Sequence, residues 1–144
     1  MVRIVLTIVM ILGSYMGFSQ PSEKKELMSV SVTVNDIRSS DGTFYVSLYN
    51  SEEGLRTKTP IKSKSLKIVG NSIVATFKNV SKGEYAVGCF HDENDNQLMD
   101  FYDNGIPKEN YGLSNNHVYY GPPTFEDAKF EVSDTNLTFE IKLF

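Results

Sequence analysis

The densest chemistry in the chain lies at His91-Asp92-Glu93-Asn94-Asp95-Asn96-Gln97-Leu98-Met99-Asp100, with Asp103 three residues on. Five carboxylates (Asp92, Glu93, Asp95, Asp100, Asp103) and two amides (Asn94, Asn96) fall within thirteen residues. Asp92, Asn94, Asn96 and Asp100 occupy positions 1, 3, 5 and 9 of a D-x-N-x-N-x-x-x-D pattern. At that spacing one loop turns its oxygens toward a calcium ion, which takes roughly six to eight of them. The four side chains, with the backbone carbonyl of Leu98, would supply most of the shell. Asp103 stands at position 12, where an acid closes such loops, and Gln97 at position 6, where glycine usually makes the sharp turn. No helical period flanks the stretch, so the expectation is a calcium loop on a β-scaffold. The same residues fit a second reading, a solvated acidic turn whose Asn and Asp side chains cap nearby backbone groups.

Other reactive side chains are few. His91 and His117 are the only histidines and Cys89 the only cysteine. They make a poor zinc set, which needs three or four converging ligands. His91 reads as a strand-end residue bonded to a loop carbonyl. It also reads as the acid/base of a hydrolase working with Asp92 or Asp103. Cys89 can form no internal disulfide and fits a small core residue or a thiol served by His91. No nucleophile elbow and no phosphate-cradling glycine loop is present. Tyr102, Tyr111, Tyr119 and Tyr120, with Asn115 and Asn116, follow the acidic stretch. Flat amphipathic rings beside a cation loop suit capture of a carbohydrate or protein ligand; alternatively the rings pack a long loop onto the domain.

A frame must hold these residues. The chain has 144 residues, enough for one domain, and 40% hydrophobic residues, enough for a core. Its formal net charge is −4, which argues against nucleic acid, since phosphate binding needs clustered Lys and Arg. The basic stretch from Lys58 to Lys67 is broken by Pro, Ser and apolar residues and reads as a solvated loop. Residues 1–19 read as a signal peptide: Arg3, an apolar run from Ile4 to Leu12, and small residues before Gln20. The run is short for a membrane span, so no stable span is expected after cleavage. An uncleaved anchor is the other reading. The expected location is periplasmic or extracellular, with residues 20–27 as a flexible tether.

From residue 28 onward, apolar and polar residues alternate with period two. Met28, Val30, Val32 and Val34 form one series; Phe44, Val46 and Leu48 a second, joined to the first as a hairpin through Asp41-Gly42. Leu66 to Ile68, Ile73 to Phe77, Glu84 to His91, Ala128 to Val132 and Leu137 to Leu143 complete about seven short strands. Glu84 to His91 is apolar on both faces, which places it centrally. A short helical turn can start at Ser51, and otherwise no helix is convincing. The fold class is therefore all-β: a single antiparallel β-sandwich over residues 28–144, immunoglobulin-like or transthyretin-like, with a long ordered loop after the central strand.

Three motifs stand in order: Tyr85-Ala86-Val87-x-x-Phe90-His91-Asp92-Glu93-Asn94, then Gly105-Ile106-Pro107-Lys108-Glu109-x-Tyr111-Gly112-x-Ser114-Asn115-Asn116, then Gly121-Pro122-Pro123-x-Phe125-Glu126-Asp127-Ala128. Together they resemble the secreted bacterial family DUF2141, a domain of unknown function, over roughly residues 28–144. The resemblance implies a secreted single-domain β-sandwich, and the segment ending Phe18-Ser19-Gln20 is similar to Bacteroidetes signals. It implies no activity. The functional expectation is a secreted calcium-stabilised module that binds a ligand or the cell envelope without catalysis. A hydrolase built on His91 and its neighbouring carboxylates is the alternative, and a structural accessory protein the third.

Overall fold

The computed structural model describes residues 26–117 and 121–144. The segment read as a signal peptide, most of the tether, and Tyr119 and Tyr120 lie outside the described residues.

β1 (Met28–Val34) buries Met28, Val30, Val32 and Val34 and turns Ser29, Ser31 and Thr33 outward. Alternation of β-branched and small polar residues suits a pleated strand with one wet face. β1 is the middle of a three-stranded sheet, antiparallel to β4 (Ile73–Val80) and parallel to β8 (Leu137–Ile141). The second sheet runs β3 (Lys62–Leu66), β2 (Thr43–Tyr49), β5 (Gly83–Asp92), β6 (Tyr111–Leu113), all antiparallel. β7 (Phe130–Val132) pairs with the start of β5. The inner faces meet in one core that includes Val30, Val32, Phe44, Val46, Leu48, Phe77, Val87 and Ile141. Burying each such side chain contributes roughly 1.5–3 kcal/mol. The all-β, two-sheet sandwich expected from the alternation is the fold observed.

β5 is the longest strand, with ten residues, and is covered on both faces. Its core side carries Tyr85, Val87, Cys89 and His91. On its other side Ala86 packs with Leu113 and Ala128 beneath a four-residue helix, α2 (Phe125–Ala128). The sheets are stitched at one corner, where Tyr111 and Phe144 exchange backbone hydrogen bonds. There a Cβ on Gly112 would lie 2.5 Å from both Ile141 Cγ2 and the Lys142 carbonyl oxygen.

The arrangement differs from expectation in two places, the link from β1 to β2 and the strand Lys62–Leu66. β1 and β2 do not form a hairpin; they lie in different sheets. The link between them is too long for a two-residue turn. It crosses the sandwich with Ile37 buried and bonded to the Asn71 carbonyl. Lys62–Leu66, within the stretch read as a loop, is an edge strand paired with β2. Its Lys-Ser-Lys-Ser sequence carries no apolar period because an edge strand protects itself with charge. β7 and β8, neighbours across Ser133–Asn136, also go to opposite sheets. Among the described residues two short α-helices occur, α2 and α1 (Glu52–Arg56); α1 is capped by the Ser51 hydroxyl, which accepts from the Gly54 N–H.

Candidate functional site: the loop at the end of the central strand

β5 delivers His91 and Asp92 to its end fully buried. The link before β2 presses against the same point. Gly42 has φ +71° and carries no Cβ, which would otherwise lie 1.9 Å from the Asp92 carbonyl oxygen.

From this anchor the chain turns sharply. Asp92 folds back over the turn: Oδ1 accepts from the Asn96 N–H at 3.1 Å and Oδ2 from the Gln97 N–H at 2.8 Å. Asp95 and Gln97 adopt φ of 57° and 66°, the left-handed region that costs a side-chain-bearing residue roughly 1–2 kcal/mol. The two Asp92 bonds offset that cost. Position 6 of the loop thus makes its sharp bend without glycine. Asn94 Oδ1 also accepts from the Asn96 N–H, at 3.1 Å, and Asn96 Oδ1 from the Leu98 N–H, at 2.8 Å. Both amide groups then point at one atom. Asn94 Nδ2 and Asn96 Nδ2 donate to Asp100 Oδ2 at 2.8 and 2.9 Å.

Asp100 also begins a small hairpin. Its carbonyl accepts from Lys108 N–H, Tyr102 N–H donates to the Ile106 carbonyl, and Gly105 N–H donates to that of Tyr102. Phe101 and Pro107 face each other across it. Asp103 sits in the exposed turn at the far end, whereas the returning strand brings Glu109 back to the base. Glu109 Oε2 accepts from the Asp100 N–H at 3.1 Å. Oε1 is buried and has no hydrogen-bond partner. Burial pushes the Glu109 carboxyl above the ordinary glutamate range; the Asp100 N–H bond opposes this, and the carboxylates of Asp92, Asp100 and Glu93 add to the rise.

The loop therefore brings together Asp92, Asn94, Asn96 and Asp100, and adds Glu109. Leu98 joins through its N–H, with its side chain exposed. Among the described residues, no three His, Cys, Asp and Glu side chains are placed to hold a metal ion by themselves. A cation here would draw on amide and backbone oxygens as well.

The His91 ring touches no solvent. Its Nε2 lies 2.7 Å from the Asp41 carbonyl oxygen, which can only accept, so Nε2 carries the proton. Nδ1 lies 3.5 Å from Glu93 Oε1, outside hydrogen-bonding geometry. Acid/base work requires reach to a substrate proton, and this ring is spent on joining β5 to the link before β2. Cys89 is buried and its thiol is pushed up to about 12 by burial, so it is no thiolate near neutral pH.

The aromatic and amide candidates separate. Tyr102 is exposed on the hairpin, with the Lys108 ammonium 5.5 Å from its ring centre. Tyr111 lies in β6 against Phe144. Asn115 donates to the carbonyls of Asp127 and Lys129. Asn116 donates to the Glu140 carbonyl and accepts from the Lys142 N–H. These two asparagines, with φ of 68° and 54°, fasten a 3₁₀ turn (Ser114–Asn116) to α2 and β8.

A family model described as uncharacterized proteins conserved in bacteria, DUF2141, matches residues 32–140. The chain belongs to the DUF2141 family. The match runs from the last residues of β1 through most of β8 and so includes the whole acidic loop and Glu109. No curated protein and no solved structure matches the chain. Sequence reasoning passed over Glu109. The available signal was its place in the Gly105-Ile106-Pro107-Lys108-Glu109 motif, an acid directly after a Gly/Pro-shaped turn.

Proposed function

We propose that this DUF2141 member is a secreted, non-catalytic binding module whose strand-end loop holds calcium. The observation that carries the reading is the convergence of the Asn94 and Asn96 amides on Asp100 Oδ2. A half-turn of each amide about its Cβ–Cγ bond puts oxygen where nitrogen now stands. That swap breaks the bonds from Asn96 N–H and Leu98 N–H, at roughly 0.5–1.5 kcal/mol each. Calcium offsets the loss by gathering three or more oxygens in one place. Its flexible shell tolerates mixed carboxylate, amide and carbonyl ligands, unlike the strict octahedron of magnesium. The partner in this reading is a carbohydrate or protein met beside the loop, where Leu98, Tyr102 and Ile106 are exposed. Extracytoplasmic location rests on the character of residues 1–19.

A ligand that binds only the folded state raises its stability in proportion to the logarithm of its concentration. Millimolar calcium is expected to raise the melting temperature by several degrees over a chelator-treated sample, and magnesium by less. An unchanged melt, with no heat of binding in calorimetry, refutes the cation reading.

A further inference from the structure

The two strands at the base of the hairpin meet where Glu109 receives the Asp100 N–H. Glu109 is 9% exposed, and Oε1 has neither hydrogen-bond partner nor solvent. Asp92, Asp100 and Glu93 are the carboxylates whose charge it feels. The nearby lysines attend to other groups. Lys108 turns its ammonium to the Tyr102 ring, Lys58 to the Phe101 ring, and Lys67 to Asp95. A buried carboxylate oxygen among other carboxylates is costly unless something positive meets it. The sequence pattern offers Asp103 for the closing acid, but the hairpin carries Asp103 to its exposed far turn and returns Glu109 in its place.

We infer that Glu109, and not Asp103, is the carboxylate that completes the cation site, with Oε1 as the ligand. The assignment rests on the calcium reading above and gives it a structural consequence. The cation joins residues 92–100, which leave β5, to residue 109, which leads into β6. It thereby clamps the hairpin that presents Tyr102 and Ile106. The ligand class is a hard divalent cation, because every donor offered is oxygen.

The test uses calorimetric calcium titration of the chain and of two variants, Glu109→Gln and Asp103→Asn. The glutamine retains an oxygen for the Asp100 N–H, so the variant is expected to fold, as its circular dichroism and calcium-free melt will show. Glu109→Gln is expected to weaken calcium at least tenfold, and Asp103→Asn by less than threefold. Hydrogen exchange supplies a second readout: calcium should slow exchange at the Asp100 amide in the parent chain and not in Glu109→Gln. If Glu109→Gln binds calcium as the parent does, or if Asp103→Asn is the variant that loses it, the assignment is overturned and the calcium reading stands. If the parent chain itself shows neither binding heat nor melting shift, both are overturned.

Discussion

Replacing Gly42 by Ala tests how the frame holds the loop. Gly42 and Gly70 both lie in the left-handed region, with different surroundings. A Cβ on Gly42 (φ +71°) would lie 1.9 Å from the Asp92 carbonyl oxygen and 2.8 Å from Glu93 Cα. A Cβ on Gly70 (φ +83°) would meet nothing within 4 Å. Both substitutions carry the left-handed penalty, roughly 1–2 kcal/mol. Only Gly42→Ala must also push backbone away from backbone, and overpacking of this kind costs about 1–3 kcal/mol more. The expected losses are therefore about 1 kcal/mol for Gly70→Ala and about 3 kcal/mol for Gly42→Ala. With a urea slope of about 2 kcal/mol per molar, the two unfolding midpoints should differ by about 1 M. Hydrogen exchange at Asn96 and Gln97 should quicken in Gly42→Ala alone, because the displaced residue is the one whose carboxylate holds those amides. Equal midpoints for the two variants would refute the close approach of the link before β2 to the end of β5.

Two further outcomes follow from buried groups. Glu109 is harder to ionise folded than unfolded, so its stabilising contribution is complete below the ordinary glutamate value and is lost as pH rises through the raised folded value. In chelator, the parent chain and Glu109→Gln should therefore unfold at similar urea concentrations near pH about 4. The parent should fall progressively behind as pH rises to neutral; parallel curves across that range refute the burial. Ser114 Oγ accepts from the Val87 N–H at 3.0 Å and donates to the Ala128 carbonyl, wholly inside the protein. Ser114→Ala leaves both backbone groups without that partner and should cost about 2–3 kcal/mol, read as a lower urea midpoint at unchanged slope.

The strands were legible where one face is dry and the other wet. β1 and β8 show this directly, since alternation is what a half-buried strand imposes on its sequence. β3 was not, because both kinds of position on that edge are Lys or Ser for most of its length. Sheet membership was hidden for a different reason. Val30 pairs with Phe77 on one side and Leu137 on the other, and no local spacing encodes partners so distant. The loop's own side chains were visible from their intervals, Asp92 to Asp100. Glu109 showed only as an acid after a Gly/Pro-shaped turn, because it is the hairpin's return that brings it back to Asp100. Asn115 and Asn116 looked like ligand contacts because Asn beside Tyr commonly is one; left-handed backbone and four fastening bonds explain the type equally well.

β1 lies between β4, which arrives only after β2 and β3, and β8, about a hundred residues downstream. A chain emerging from its amino end can zip β1 to β4 once residues 73–80 are out. The other flank of β1 stays bare until residues 137–141 arrive, and the corner bonds of Tyr111 wait for Phe144. Contacts this remote make assembly slow and leave it unfinished until residues 137–144 are out. A tunnel or channel that releases the chain stepwise would thus pass it as loose polymer, and its final shape would appear as one late event on the far side.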